Sequence, residues 1–400
     1  MKVIIDKSRL SGRMSAPPSK SMAHRYLICA ALSRGVCTVS NIDMSDDVRA
    51  TLDCLGALGV GVKAGDGCVT VDGSGLFSKA DVLDCNESGS TLRFMIPICL
   101  LADKTLTLKG TKRLFSRSLD IYKELCDSRG FEFLQKEDSV TVKGRLYPDR
   151  YVVKGNVSSQ FISGLLYVLP LLSGDSVIEI TGELQSAPYI DMTITAQKCY
   201  GVDISRDGNI INIKGNQKYT PTDTVVEGDC SNAAFFEALN VIGQSVKVTG
   251  LDPDTLQGDY IFYEYFEKLK NGRPTLDIKN CPDLAPILMA VAAAKGGARL
   301  TNTARLKIKE SDRGNAMKQE LEKLGVVVKV RDNDIEIGCG ISPPTSVIYG
   351  HNDHRIVMAC AVLLTLTGGS IDGAEAVCKS LPDFFERMRA LGAKVRYEAK

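Results

Sequence analysis

The chain has 400 residues, of which 44% are hydrophobic and 24% are charged, and its formal net charge is +1. A chain of this length exceeds what one hydrophobic core usually supports, so we expect two domains. The nearly neutral charge, without a long basic or acidic block, argues against nucleic-acid or membrane binding through bulk electrostatics. Recognition of anions must then depend on local clusters of Arg and Lys.

The thirteen cysteines are scattered along the chain and form no Cys-x-x-Cys pair. Neither they nor the three histidines have the spacing of a zinc site, so no metal and no other cofactor are expected. The odd cysteine count and the lack of a secretory leader predict reduced thiols in a cytoplasmic protein. No apolar run is long enough to span a bilayer.

In chain order, six short polar motifs each precede an apolar run that is typical of a helix. The helix-like runs cover residues 26–32, 92–101, 161–172, 233–242, 284–294 and 356–366. The motifs themselves are Ser19-Lys20-Ser21, Glu87-Ser88-Gly89-Ser90, Ser158-Ser159-Gln160, Asp229-Cys230-Ser231-Asn232, Pro282-Asp283 and Asn352-Asp353-His354-Arg355.

A second pattern repeats in the later part of several units. Residues 55–60, 321–326 and 388–393 each look like a helix end with glycine just beyond it, followed by an alternating strand. Each unit therefore has β-α-β-α-β character, and the six divide three and three, with 220–223 as the crossing between halves. These patterns predict an α/β protein with two similar domains.

The repeat also bears on function, because each polar motif would lie at a helix N-terminus, where free N–H groups favour anions. Ser, Asp and Asn are ordinary N-cap residues there, and capping alone explains any single motif. Capping does not explain the Lys and Arg residues that lie among these cap residues. Seven cations could line one site that binds two phosphorylated or carboxylated substrates without a metal. They are Lys20, Arg25, Arg117, Lys309, Arg313, Arg355 and Lys379.

The segment 307–313 is the strongest candidate for chemistry. Lys309 and Arg313 are four residues apart, which predicts a shared helix face, and the adjacent Glu310 is a candidate proton donor and acceptor. A salt-bridged helix start is the alternative interpretation. Segment 112–117 is also rich in cations, but such a cluster is more often a solvated surface.

Nine motifs, in this order, resemble the EPSP synthase (3-phosphoshikimate 1-carboxyvinyltransferase) family along nearly the whole chain. They are Pro18-Ser19-Lys20-Ser21 with Arg25, Gly89-Ser90-Thr91-Leu92-Arg93, Arg113 with Arg117, Ser158-Ser159-Gln160-Phe161, Ser186-Ala187-Pro188-Tyr189-Ile190-Asp191, Pro282-Asp283, Lys309-Glu310-Ser311-Asp312-Arg313, Asn352-Asp353-His354-Arg355 and Lys379-Ser380-Leu381-Pro382-Asp383.

The resemblance implies an α/β fold with two similar domains, each of three β-α-β-α-β-β units around a pseudo-threefold axis in an inside-out α/β barrel arrangement. The domains would be residues 1–12 with 226–400, and 13–225, with the active site in the cleft between them. The protein would act as a monomer. Its substrates would be shikimate 3-phosphate and phosphoenolpyruvate, and the reaction would transfer the enolpyruvyl group to the 5-hydroxyl by addition–elimination.

The resemblance also implies roles for particular residues. Those holding shikimate 3-phosphate would be Lys20, Ser21, Arg25, Ser158, Ser159, Gln160, Ser186, Asp283 and Lys309. Those holding phosphoenolpyruvate would be Lys20, Gly89, Arg117, Gln160, Arg313, Arg355 and Lys379. Asp283 would be the base for the 5-hydroxyl, while Glu310 and Lys20 would exchange protons with the enolpyruvyl carbon and the departing phosphate. In that family the herbicide glyphosate occupies the phosphoenolpyruvate site.

Three positions depart from the pattern of many relatives: Glu87 and Arg305 replace Asn, and Phe94 replaces Pro. Two rival interpretations remain open at this point. One is the sister transferase acting on UDP-N-acetylglucosamine, which carries a reactive cysteine in a loop where residues 110–119 contain none. The other is a non-catalytic anion-binding protein, which would not need the acids Asp283 and Glu310.

Overall fold

A computed structural model describes residues 1–398 of the chain, with thirteen α-helices among them. The helices are α1 (Lys20–Leu32), α2 (Asp46–Leu58), α3 (Gly89–Cys99), α4 (Lys112–Phe115), α5 (Asp120–Arg129), α6 (Ser159–Val168), α7 (Ala187–Cys199), α8 (Cys230–Val241), α9 (Phe262–Lys270), α10 (Ala285–Ala294), α11 (Arg313–Lys323), α12 (His354–Thr367) and α13 (Phe384–Ala390).

Twenty-two strands lie within the same described residues. They are β1 (Lys2–Asp6), β2 (Ser11–Ser15), β3 (Val36–Ser40), β4 (Gly61–Ala64), β5 (Cys68–Asp72), β6 (Val82–Asp84), β7 (Leu106–Lys109), β8 (Glu132–Gln135), β9 (Ser139–Lys143), β10 (Arg150–Lys154), β11 (Ser176–Thr181), β12 (Ile204–Asp207), β13 (Ile210–Ile213), β14 (Thr224–Val225), β15 (Ser245–Thr249), β16 (Thr275–Asp277), β17 (Ala298–Thr301), β18 (Val328–Val330), β19 (Asp334–Ile337), β20 (Ile348–Tyr349), β21 (Gly369–Asp372) and β22 (Lys394–Glu398).

Two compact units divide the chain, and each has its own hydrophobic core. The first unit combines Met1–Pro17 with the chain from Gly228 onward, and the second is Pro18–Glu227. Both crossings lie slightly later than the expected 12/13 and 225/226, because β2 pairs with β15 of the first unit and β14 pairs with β3 of the second. Residues 220–223 lead into β14 and are not the crossing.

The second unit contains three four-stranded sheets with one shared pattern. Their strand orders are β14-β3-β5-β4, β6-β7-β9-β8 and β10-β11-β13-β12. In each sheet the first two strands are parallel and the remaining pairs are antiparallel. In two of these sheets a helix connects the parallel strands, as a parallel crossover requires: α3 lies between β6 and β7, and α6 between β10 and β11. The repeated β-α-β units expected from the sequence are confirmed here.

The first unit repeats that pattern with strands from distant parts of the chain. Its sheets have the orders β16-β17-β19-β18 and β20-β21-β1-β22, and β2 and β15 form a two-stranded parallel sheet. Strand β1 lies between β21 and β22 and is antiparallel to both. Among residues 1–398 every sheet keeps two edge strands, so none closes on itself as a barrel.

Five of the six polar motifs supply an N-cap whose side chain accepts a bond from a backbone N–H in the first turn, as predicted. The caps are Ser19 for α1, Ser88 for α3, Ser158 for α6, Asp229 for α8 and Asp353 for α12. The sixth motif, Pro282-Asp283, forms a 3₁₀ turn that runs directly into α10. The motifs therefore lie where N–H groups point out of helices.

The predicted helix ends are also confirmed. Gly59, Gly325 and Gly392 follow α2, α11 and α13 with left-handed φ angles of 107°, 83° and 101°. A strand begins two or three residues after each of them. Glycine suits these positions because a Cβ makes such angles unfavourable. Over residues 1–398, no helix combines the length and the hydropathy needed to cross a membrane.

Candidate active-site clusters

The second unit holds nine of the predicted site residues, which we call the Arg25 cluster: Lys20, Ser21, Arg25, Gly89, Arg117, Ser158, Ser159, Gln160 and Ser186. Arg25, in the second turn of α1, is almost fully buried. Its Nε donates to Thr193 Oγ1 at 2.9 Å, and its terminal nitrogens donate to the carbonyl oxygens of Ser21 and Tyr189 at 2.6 and 2.8 Å. All three acceptors are uncharged, so the charge of Arg25 stays available to an anion.

Two aromatic rings fix the guanidinium of Arg25 further. Its Cζ lies 5.7 Å from the centroid of the Phe94 ring and 5.8 Å from that of Tyr189. Contacts of this kind attract a cation to the ring face. Phe94, which departs from the family pattern, is therefore a buried support for Arg25 in this chain.

Lys20 begins α1 and pairs with Asp47 in the first turn of α2, with 2.6 Å between Nζ and Oδ2. Asp47 was not foreseen from the sequence, although two acids in a first helical turn are a visible signal. The pair leaves the Lys20 ammonium at the entry of the helix.

Helices α3 and α6 meet through Gln160. Its amide nitrogen donates to Ser90 Oγ at 2.9 Å, and its oxygen accepts from Arg93 Nη1 at 2.8 Å. Arg93 is buried and had been noted only as part of a motif. Gly89, the first residue of α3, lies against Arg117: a Cβ at Gly89 would be 2.5 Å from Arg117 Nη1. The glycine thus allows the guanidinium to approach the helix end.

A buried chain of hydrogen bonds joins the starts of α1 and α3. His24 Nδ1 is 2.7 Å from Thr51 Oγ1, which is 2.7 Å from Thr91 Oγ1, which donates to Ser88 Oγ at 2.8 Å. Burial lowers the pKa of His24 to about 3, so the ring is neutral near pH 7. The histidine therefore has a structural part beside the cluster, which the sequence did not reveal.

The first unit holds the other predicted residues, and we call the set Asp283, Lys309, Glu310, Arg313, Asp353 and Arg355 the Asp283 cluster. Asp283 Oδ1 accepts from Lys309 Nζ at 3.1 Å and from Arg313 Nη1 at 2.7 Å, and Oδ2 accepts from Arg355 Nη2 at 3.0 Å. Burial alone would raise the pKa of Asp283, but the three cations outweigh it and hold the pKa well below its ordinary value.

Arg313 is the centre of this network and only 1% of its side chain is exposed. Besides Asp283, it donates to Glu310 Oε2 at 2.6 Å and to Asp353 Oδ2 at 2.9 Å. Ser311 Oγ donates to the same Asp353 oxygen at 2.9 Å. Asp353 was noted only as part of a motif, yet its carboxylate accepts from both Nε and Nη2 of Arg313 and so holds the guanidinium in place.

The expectation of a shared helix face for Lys309 and Arg313 is wrong. A 3₁₀ segment, Ala304–Ile308, ends before Lys309, and α11 begins only at Arg313. Asp312 caps α11 by accepting from Asn315 N, and such caps compete with helix continuation through the preceding residues. Lys309 and Arg313 nevertheless meet at Asp283, because the intervening loop returns toward it.

Two further cations lie in the first unit. Lys379 ends the 3₁₀ segment Ala374–Lys379 and donates from Nζ to the carbonyl oxygen of Asn352 at 2.6 Å. Arg305 is buried in its own 3₁₀ segment. Burial lowers the pKa of Lys309 to about 8, and the neighbouring charges of Arg313 and Arg305 lower it too, although Asp283 acts in the opposite direction.

Asp259 is another acid that sequence patterns missed. It accepts a hydrogen bond from Ser231 Oγ. Burial and the negative charge of Asp283 raise its pKa to about 7, against the effect of Arg355. Within residues 1–398, no group of three or more His, Cys, Asp or Glu side chains is arranged to hold a metal ion.

A family model described as "EPSP synthase (3-phosphoshikimate 1-carboxyvinyltransferase)" matches residues 4–388. The chain belongs to the EPSP synthase family. It is therefore an enzyme of enolpyruvyl transfer to shikimate 3-phosphate, in the route to aromatic amino acids, as the sequence motifs implied. The open rival of a sister transferase acting on a UDP-sugar is set aside by this match.

Relatives named 3-phosphoshikimate 1-carboxyvinyltransferase agree with membership in the EPSP synthase family. The protein of Clostridium kluyveri is 38% identical, with 98% of each chain covered, and that of Clostridium novyi is 40% identical, with 96% of each covered. Among solved structures, EPSP synthase from Acinetobacter baumannii matches with a TM-score of 0.80 at 24% identity, over 99% of this chain and 100% of that one.

The fold is also shared with a different enolpyruvyl transferase. NikO from Streptomyces tendae matches with a TM-score of 0.78 over 99% of this chain and 98% of its own, at 15% identity. At such identity the likeness concerns the fold alone. A shared fold does not by itself determine which reaction a protein performs.

Proposed function

We propose that the chain transfers the enolpyruvyl group of phosphoenolpyruvate to the 5-hydroxyl of shikimate 3-phosphate with groups from both units, metal-free. The observation that supports this most is the bonding of Asp283 to three cations, one of which, Arg313, also holds Glu310. Two acids thereby share one cationic network, as a reaction that takes up and returns protons requires.

In this proposal Asp283 is the base. The three cations keep Asp283 ionised. When the 5-hydroxyl of the bound substrate replaces one of these cations beside the carboxylate, a carboxylate oxygen can accept its proton. As that proton leaves, the 5-oxygen forms a bond to C2 of phosphoenolpyruvate, while C3 receives a proton from Glu310. The result is a tetrahedral intermediate.

Breakdown of the intermediate restores Glu310. The C2–O bond to phosphate breaks, C3 returns its proton to Glu310, and the double bond forms again. Lys20 provides a proton to the departing phosphate. The ammonium of Lys20 lies at the entry of α1 beside Asp47. Asp283 then releases the proton of the 5-hydroxyl to solvent and Lys20 takes one up, which restores both groups for the next turnover.

We assign the binding of anions as the family pattern does. Shikimate 3-phosphate takes Lys20, Ser21, Arg25, Ser158, Ser159, Gln160, Ser186, Asp283 and Lys309. Phosphoenolpyruvate takes Lys20, Gly89, Arg117, Gln160, Arg313, Arg355 and Lys379. The neutral partners of Arg25 support its part, since they leave its charge for a phosphate or carboxylate. Buried cations with fixed geometry can neutralise such charges directly.

The compartment belongs to the proposal as well, and we place the protein in the cytoplasm. All thirteen cysteines are free thiols, and nine of them are buried. Free thiols in this number suit a reducing environment.

The experiment is an assay of phosphate release from phosphoenolpyruvate with each acceptor in turn. We expect release with shikimate 3-phosphate, unchanged after exhaustive treatment with a chelator, and none with UDP-N-acetylglucosamine. Release that requires an added divalent ion contradicts the metal-free mechanism. Tight binding of both substrates without any release would favour the non-catalytic anion-binding protein.

A further inference from the structure

The turn between β20 and α12 has unusual backbone geometry. His351 and Asn352 are consecutive non-glycine residues with left-handed φ angles of 50° and 51°. Such angles are unfavourable for residues with a Cβ, and Asn tolerates them better than most. A turn of this kind persists only where neighbouring groups hold it in place.

A buried glutamate holds this turn. Glu320, in α11, has only 1% of its side chain exposed. Its Oε1 accepts from His351 Nε2 at 2.7 Å, and its Oε2 accepts from the backbone N–H of Tyr349 at 2.9 Å and from Lys323 Nζ at 2.7 Å. The bonds from His351, Lys323 and Tyr349 lower the pKa of Glu320, although burial by itself would raise it.

The ring of His351 is held from a second side. It packs against the ring of Tyr349, with 5.0 Å between centroids at an angle of 70°. One carboxylate of α11 therefore holds the turn at two places: it accepts from the backbone N–H of Tyr349 at the end of β20 and from the ring of His351. Two points of attachment fix the path of the chain between them.

The same turn carries groups of the proposed phosphoenolpyruvate site. The carbonyl oxygen of Asn352 accepts from Lys379 Nζ, and Asp353 caps α12 while its carboxylate accepts from Arg313 Nε. Arg355, two residues later, reaches Asp283. A change in the angles at His351 would redirect the Asn352 carbonyl and shift the start of α12.

We infer that Glu320 and His351 form a latch that positions Lys379 and Arg355 for phosphoenolpyruvate. This inference rests on the proposed function, since that function places these two cations against phosphoenolpyruvate. Glu320 and His351 are positioning residues: they bond to the turn and to each other, and act on the substrate only through Lys379 and Arg355.

The test compares two variants of the full-length protein. His351→Gly removes the latch but suits left-handed angles, so backbone strain cannot explain a loss. We expect the KM for phosphoenolpyruvate to rise about threefold to tenfold, as for one lost hydrogen bond, with kcat and the KM for shikimate 3-phosphate within about twofold. His351→Gln keeps an N–H donor in reach of Glu320 and should retain the KM of the wild type.

Lys323→Met is the matched control, because it removes another partner of Glu320 and leaves His351 in place. We expect it to lower the thermal midpoint without changing the KM for phosphoenolpyruvate. An unchanged KM in His351→Gly overturns the latch, and so does an equal rise in the KM of both substrates. Wild-type protein that releases no phosphate overturns the proposed function itself, which is a separate outcome.

Discussion

Arg25 and the cations of the Asp283 cluster are held in different ways. In the Asp283 cluster, three cations surround one carboxylate and a further two acids bond to Arg313, so positive and negative groups neutralise one another. In the Arg25 cluster, Arg25 bonds to two backbone carbonyls and a threonine hydroxyl. In the first arrangement the acids of the protein neutralise the cations, whereas in the second the charge of Arg25 remains for a ligand.

This difference indicates that Arg25 serves to bind anions and that Asp283 serves to accept a proton. A cation held by neutral acceptors favours anion binding, so changes at Arg25 and at Gly89 should appear mainly in KM. A carboxylate kept ionised among cations is suited to accept a proton, so changes at Asp283 should appear mainly in kcat. Three experiments test this difference.

The largest expected effect is at Asp283. Asp283→Asn keeps the shape of the side chain but cannot take the 5-hydroxyl proton, so we expect kcat to fall about a hundredfold to ten-thousandfold. Binding of shikimate 3-phosphate, measured by calorimetry, should persist. Asp277→Asn is the control, since Asp277 is an exposed acid that bonds to Lys279 N and Asn302. A kcat within threefold of wild type would remove Asp283 from its role as base.

A smaller effect is expected at Gly89. The Cβ of Gly89→Ala would meet the guanidinium of Arg117, which must move away from the start of α3. We expect the KM for phosphoenolpyruvate to rise about tenfold, as for one weakened charged hydrogen bond. The inhibition constant of glyphosate, a longer ligand, should rise further.

The control for Gly89→Ala is Gly56→Ala in α2, where an added Cβ has no neighbour within 4 Å. Competition kinetics on both variants decide the matter. If the two constants rise by equal factors, Gly89 does not discriminate between the ligands. If kcat falls alone, Gly89 and Arg117 do not act through binding of phosphoenolpyruvate.

The smallest effect concerns Lys309, a binding group inside the Asp283 cluster. Its pKa of about 8 means that it loses charge as the pH rises through 8. We expect the KM for shikimate 3-phosphate to rise about threefold between pH 7.5 and 9, as for the loss of a charged hydrogen-bond donor. Lys309→Arg keeps its charge over this range and should flatten the rise. Parallel profiles for the two proteins would show that another group titrates.

The lowered pKa of Lys309 also affects stability: a rise in pH weakens binding but increases the free energy of unfolding. Lys309 titrates near 8 in the folded protein and near 10.5 when unfolded, so the unfolded chain binds more protons between these values. Its contribution to the free energy of unfolding therefore rises with pH in this window. The difference between wild type and Lys309→Met in chemical denaturation measures this contribution.

Local patterns predicted much of the fold, while contacts between distant segments escaped them. The caps Ser19, Ser88 and Asp353 and the glycines after helices were foreseen, because each depends on residues within one turn. The contact between Lys309 and Asp283 was expected only from the family resemblance. The prediction that Lys309 and Arg313 share a helix face was wrong. The contacts of Asp47 with Lys20 and of Glu320 with His351 depend on tertiary packing, which leaves no periodic signal in a single sequence.

Strand β1 has a consequence for how the protein is made. Its inward residues Val3 and Ile5 are fully enclosed between β21 and β22, which are synthesised last. During translation, residues 18–227 can fold as soon as they leave the ribosome, whereas β1 waits for partners more than 360 positions away. The unit that begins first is thus completed second, and β1 has no strand partner until β21 and β22 have been made.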